Sequence, residues 1–264
     1  MQNKATARRR SAWAPMVGAA ALVLLTPSAA RAEGKGDIRV VSAVVDGGTN
    51  VLVGTEKTIN FPIAITITDN SGVKGLSHAS TFNRTTGHGF IDWTGTTCQK
   101  KTSTTSVCTA TMTVVPAWIG GYSDSDQNND AGYWTVNATV KANDGDYWIS
   151  DNIAQYKLKR ASKLTTDAAP EPVAKGGTVT VTGKLSRANW EDLKYHGFAG
   201  QSVQLQFKKA ASSTYSTVKT VKTNSTGLLS TKVTATSAGT WRWYFPGTTT
   251  TAQIVSGGDS VALK

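Results

Sequence analysis

The residues best suited to chemistry form a run of alternating oxygen donors: Asp124, Asp126, Asn128 and Asp130. Calcium takes about six to eight hard oxygen ligands, and such a run can turn four side chains towards one ion where its loop curls. Measured against the EF-hand loop, Asn129 stands where Gly is required and Thr135 where a bidentate Glu is required. The flanking pattern is strand rather than helix. The run therefore supplies part of a Ca²⁺ site, with Asp46 as a further ligand, or else it is a solvated turn of the kind Asp and Asn favour. Asp144, Asp146 and Asp151 are a second acidic group. The strand-like stretch 133–142 lies between the two, and ten residues at about 3.3 Å each separate its ends by roughly 30 Å. Counting strand reversals places Asp69 with this second group and the stretch 46–56 with the first.

A second constellation is aromatic and basic: Arg187, Trp190, Lys194 and Tyr195. Flat rings stack on sugars, and cations hold phosphate or sulfate. The competing reading makes Trp190 an apolar plug for a long loop. Cys98 and Cys108 face each other across a short turn, and in an oxidising compartment they form one disulfide. Catalytic signatures are sparse. The histidines are His78, His88 and His196, and no G-x-S-x-G, H-E-x-x-H or phosphate-cradling glycine loop occurs. His88 with Asp92, or the neighbouring carboxylates of the Asp124 run, are what a hydrolase would have to use.

These residues must be positioned by strands. Phe61, Ile63, Ile65 and Ile67 alternate with polar or small residues, as do Cys108, Ala110, Met112 and Val114. Trp134, Val136, Ala138 and Val140 repeat the pattern, followed by Val203, Leu205 and Phe207, then Trp241, Trp243 and Phe245. Period two with one apolar face is the mark of a half-buried strand. Asp-, Asn- and Gly-rich turns separate the strands, which predicts antiparallel sandwiches. The stretch 161–177 carries Pro170 and Pro172 and no clean alternation, so it divides the chain. The expected organisation is a signal peptide over 1–32, one β-sandwich over 33–160 and another over 161–264. Arg8, Arg9 and Arg10, an apolar run from Met16 to Leu25 and Ala30-Arg31-Ala32 make up the export signal, with Glu33 as the first mature residue. No membrane span is expected after its removal.

The 264 residues carry a formal charge of +11, of which five charges lie on the expected signal. The remaining +6 divides as −1 on the first unit and +7 on the second. Composition excludes collagen, a coiled coil and a disulfide-dense scaffold. Nucleic-acid binding is not expected, because no recognised fold signature is present and the first unit is near neutral.

The segments from Lys184 to Trp190, Gly200 to Val203, Tyr215 to Val221 and Gly239 to Trp243 resemble the immunoglobulin-like module of secreted actinobacterial proteins. The stretch from Thr55 to Gly72 and the segment Asp130-Ala131-Gly132-Tyr133-Trp134 resemble the N-terminal partner in the same two-domain proteins. Members are often labelled calcium-binding. The resemblance implies two tandem antiparallel immunoglobulin-like β-sandwiches and no catalytic residues. The expected function is a secreted, non-enzymatic binding protein. Ca²⁺ would sit on the acidic loop, and the basic second unit would contact anionic cell-wall polymer. A carbohydrate-binding protein with Trp190 and Tyr195 as a stacking platform is the alternative, and an uncharacterised hydrolase the third reading.

Overall fold

The computed structural model describes residues 32–90, 93–120 and 126–264. The expected signal peptide therefore falls outside the described residues, except for Ala32. Ten strands build the first unit: β1 (Ala32–Lys35), β2 (Arg39–Val45), β3 (Val51–Val53), β4 (Ile59–Thr68), β5 (Val73–Phe82), β6 (Gly89–Phe90), β7 (Trp93–Lys100), β8 (Thr105–Val114), β9 (Gly132–Ala142) and β10 (Tyr147–Arg160). One sheet has the order β2-β4-β8-β7, and the other runs β1-β10-β9-β5-β6 with β3 parallel to β10. This is the immunoglobulin arrangement, A-B-E-D facing C-F-G, when β2, β4, β5, β7, β8, β9 and β10 are taken as A to G.

The alternating residues of β4 and β8 explain the packing. Phe61, Ile63, Ile65 and Ile67 are buried, as are Cys108, Ala110, Met112 and Val114 in β8, while their neighbours face outward. Trp134, Val136, Ala138 and Val140 of β9 close the core from the opposite sheet. Buried Tyr156 of β10 donates its hydroxyl to Thr81 Oγ1 at 3.1 Å, so its polar end is satisfied inside the core. Cys98 and Cys108 are direct partners of β7 and β8 and are bonded to each other. The disulfide thus staples two neighbouring strands of one sheet rather than crossing between sheets.

Ten further strands build the second unit: β11 (Ser162–Leu164), β12 (Asp167–Ala169), β13 (Thr178–Asn189), β14 (Lys194–Gly197), β15 (Ser202–Lys209), β16 (Ser216–Lys222), β17 (Leu228–Thr234), β18 (Gly239–Phe245), β19 (Ile254–Val255) and β20 (Asp259–Val261). One sheet centres on β13, flanked by β11, β12, β14 and β17, and the other has the order β16-β15-β18-β19 with β20 also on β18. The strand order is again of immunoglobulin type. Trp241, Trp243 and Phe245 are buried on one face of β18, and Trp243 Nε1 donates to Thr182 O at 2.9 Å.

The joint between the sandwiches is a packed contact. Only Ala161 separates β10 from β11, and its N–H donates to Val53 O at 2.8 Å. Trp190, on the turn after β13, is 1% exposed and belongs to the hydrophobic core of the first sandwich. Its Nε1 donates to Gly54 O at 3.1 Å. Among the described residues no helix is long and apolar enough to cross a membrane.

Candidate metal centre

Three carboxylates from distant parts of the sequence meet at one end of the first sandwich. Asp69 follows β4 and opens the turn into β5. Its Oδ1 accepts the Ser71 N–H at 2.8 Å and the Ser71 hydroxyl at 2.6 Å, the bonding that makes Asp a turn former. Asp146 closes the turn between β9 and β10, where Asp144 Oδ1 accepts its N–H at 3.1 Å. The two turns are tied together, because Asn143 Nδ2 donates to Ser71 O at 3.0 Å and Asn143 N–H to Gly72 O at 3.0 Å. Asp37 lies between β1 and β2, and its N–H donates to Asp146 Oδ2 at 2.9 Å. Gly36 is required beside it. Its φ is +80°, and a Cβ there would lie 1.3 Å from Asp146 Oδ2.

One oxygen from each of Asp37, Asp69 and Asp146 lies within 4.8 Å of the others. Asp69 is only 2% exposed, and its Oδ2 is buried without a hydrogen-bond partner. A buried carboxylate oxygen with no donor is costly, the more so with two carboxylates beside it. The Asp37 carboxyl is correspondingly raised above the ordinary carboxylate value, by partial desolvation first and then by Asp69 and Asp146. Two relief routes exist: a proton held between Asp37 and Asp69, or a bound cation. The donor set is all oxygen, with no His or Cys, which suits a hard cation such as Ca²⁺. Asp37 is exposed, leaving a side from which water can complete the coordination.

The expected calcium loop is organised differently. Asp124 lies outside the described residues. Asp126 is exposed with φ +74°, just before a short 3-10 turn over Gln127–Asp130. Asn128 points into the joint, where its Nδ2 donates to Asn189 Oδ1 at 2.5 Å and its Oδ1 accepts the Trp190 N–H at 3.1 Å. Asp130 is 0% exposed. Its carboxylate accepts Thr86 Oγ1 at 2.5 Å and holds His88 Nδ1 at 2.9 Å. Asn128 and Asp130 thus serve separate structural contacts and do not converge on one point. Asp46 Oδ2 is taken by the Thr49 hydroxyl at 2.9 Å, and Asp151 pairs with Arg84 at 3.3 Å.

The aromatic set is also redistributed. Trp190 cannot serve as an exposed stacking platform, because it fills the first core. Tyr195 is half-buried, with Lys163 Nζ 3.9 Å from its ring centroid. Lys194 is exposed on β14. Arg187 is half-buried and stacks 4.0 Å over Phe198. His88, which a hydrolase would have to use with Asp92, is bound to the buried Asp130, and Asp92 lies outside the described residues.

Sequence spacing alone missed Asp37. The Asp69 and Asp146 turns are marked by Asp-Asn-Ser-Gly and Asn-Asp-Gly-Asp, whereas Asp37 joins them only through the pairing of β1 with β10.

No protein-family model matches the chain, and no curated protein matches it. Solved structures with some likeness include the D00-D0 domain of intimin, at 13% identity over 83% of this chain and 99% of that one, with a TM-score of 0.29. The Yersinia pseudotuberculosis adhesin InvE matches at 13% identity over 87% of this chain and 60% of its own, with a TM-score of 0.30. A putative membrane-anchored protein from Corynebacterium diphtheriae matches at 13% identity over 84% and 53%, also with a TM-score of 0.30. Likenesses at this level carry no argument about partner or activity. The immunoglobulin-type description rests on the strand order itself.

Proposed function

We propose that this chain is a secreted, non-enzymatic binding protein whose first sandwich holds Ca²⁺ between Asp37, Asp69 and Asp146. The observation that carries this reading is the buried Asp69, whose Oδ2 has no hydrogen-bond partner, grouped with two further carboxylates. The site lies where the β1–β2, β4–β5 and β9–β10 connections meet, so a bound ion would tie the start of the mature chain to both sheets. Export is supported by the basic and apolar N-terminal pattern and by the disulfide, which belongs to an oxidising compartment. The resemblance to secreted actinobacterial proteins agrees with both.

Thermal unfolding tests the metal. A ligand that binds only the native state stabilises it by about 2.7 kcal/mol at a hundred times its Kd. Melting should rise in excess Ca²⁺ over EDTA, and Asp69→Asn should abolish the difference. Equal melting points in the two conditions would refute the reading.

The second sandwich, with its excess of seven positive charges, would contact anionic cell-wall polymer. Retention on purified wall that falls as salt rises checks this contact, since exposed charges are screened. The carbohydrate-stacking alternative loses its main residue with the burial of Trp190.

A further inference from the structure

Arg160 ends the first sandwich and is held from three directions by the second. Its N–H donates to Thr250 O at 3.0 Å, its carbonyl accepts the Ala252 N–H at 2.9 Å, and its side-chain Nε donates to Ala188 O at 2.5 Å. The residue is 7% exposed. Its terminal guanidinium nitrogens donate to no described residue. Arg187 stands beside it on β13, opposite His196 of β14. One of its guanidinium nitrogens reaches Thr251 Oγ1 at 3.4 Å.

Both arginines line an open cleft of about 620 Å³ between the sandwiches, together with Asn129, Asn189 and His196. Among the described residues neither guanidinium has a carboxylate within 4 Å. Asp192, the acid of the β13–β14 turn closest to His196, is bonded to His196 Nε2 at 2.6 Å. Burial, and then the charge of Arg187, push the pKa of Arg160 down to about 10, with Glu191 opposing the shift. Burial lowers Arg187 as well.

Two neighbouring, partly desolvated guanidiniums, with Glu191 acting on Arg160 only at a distance and no described carboxylate paired to either, favour an anion that joins them. The guanidinium fork matches carboxylate and phosphate oxygens, and two forks with nearby Asn donors suit the oxygens of a tetrahedral phosphate better than those of a planar carboxylate. We propose that the cleft binds a phosphate group, held jointly by Arg160 of the first sandwich and Arg187 of the second. The group can be free phosphate or a phosphate carried on a polymer. The site shares no residue with the metal centre. It gives the proposed wall contact of the second sandwich a defined pocket, and to that extent it rests on that reading.

The test is calorimetric titration of the intact mature protein with inorganic phosphate and, separately, with a soluble poly(glycerol phosphate), both at ionic strength matched with sodium chloride. Phosphate should bind, and Arg187→Gln should weaken it about tenfold or more, as expected when one charge-assisted pair is lost. Arg187→Lys, which keeps the charge but not the fork, should also bind more weakly than the parent. Arg187 is the better probe because Arg160 also holds the joint. Tighter binding of the polymer per phosphate group would identify a polymer-borne ligand, and binding of phosphate alone would identify the free ion. No binding beyond the chloride control, or equal binding by Arg187→Gln, overturns the proposal. If salt-sensitive wall retention then persisted, the pocket would fall while the general charge contact stood.

Discussion

Trp190 belongs by sequence to the second sandwich and by packing to the core of the first, which makes Trp190→Ala an informative perturbation. A buried Trp removes about 150–250 Å² from water, and at about 25 cal/mol per Å² this corresponds to roughly 4–6 kcal/mol as an upper bound. Measured Trp-to-Ala truncations in cores cost about 3–5 kcal/mol. The lost Nε1 bond to Gly54 O adds little, because that carbonyl can turn to water entering the vacated space. The expected loss is therefore about 3–5 kcal/mol, and it should appear in the first sandwich. Urea unfolding followed by near-UV circular dichroism would detect it. The joint also loses the ring that couples its two sides, so a transition shared in the parent should split into two. A loss below about 1 kcal/mol would refute the packing argument, as it would match a surface substitution. Unchanged stability with lost retention on neutral polysaccharide would restore Trp190 as a sugar-stacking residue.

Two further outcomes follow from the first sandwich. Replacing Cys98 and Cys108 with Ser opens a loop of sequence separation 10 and should lower stability by about 2–3 kcal/mol on the loop-entropy argument, read as a shift in urea midpoint. The metal response should depend on pH. Asp37 is raised in the native state, so without metal the native protein binds protons more readily than the unfolded chain there. That contribution disfavours folding once the pH rises above the native value and is relieved as the pH falls through it. Protons and Ca²⁺ compete for the same oxygens, so the Ca²⁺-induced rise in melting temperature should shrink as the pH falls from neutral towards the carboxylate range. A rise that stays constant across this window would contradict the assignment.

The sandwiches were legible because their signal is local. Ile63, Ile65 and Ile67 announce a strand face from within one stretch, and β8 and β18 do the same. Cys98 and Cys108 could be paired because a short turn allows few alternatives. The site was harder because its residues are non-local. Asp124 to Asp130 has the spacing of a ligand run, but spacing becomes coordination only if the backbone curls around an ion. Here a 3-10 turn sends Asn128 to the joint and Asp130 to His88. Asp69 and Asp146 stand at the sandwich end where counting strand reversals puts them. Asp37 reaches them through the β1–β10 pairing, whose short and exposed β1 has no apolar alternation to reveal it. Trp190 was equally ambiguous, since a Trp in a loop is written the same way whether it faces solvent or fills a neighbouring core.

The cation claim is tested most directly by anomalous diffraction from a crystal of the mature protein grown with Ca²⁺. An ion is expected about 2.3–2.6 Å from a carboxylate oxygen of Asp69, with Asp37 and Asp146 among its ligands. Density without an ion between these carboxylates, or an ion seated instead on the Asp126–Asp130 turn, would contradict it.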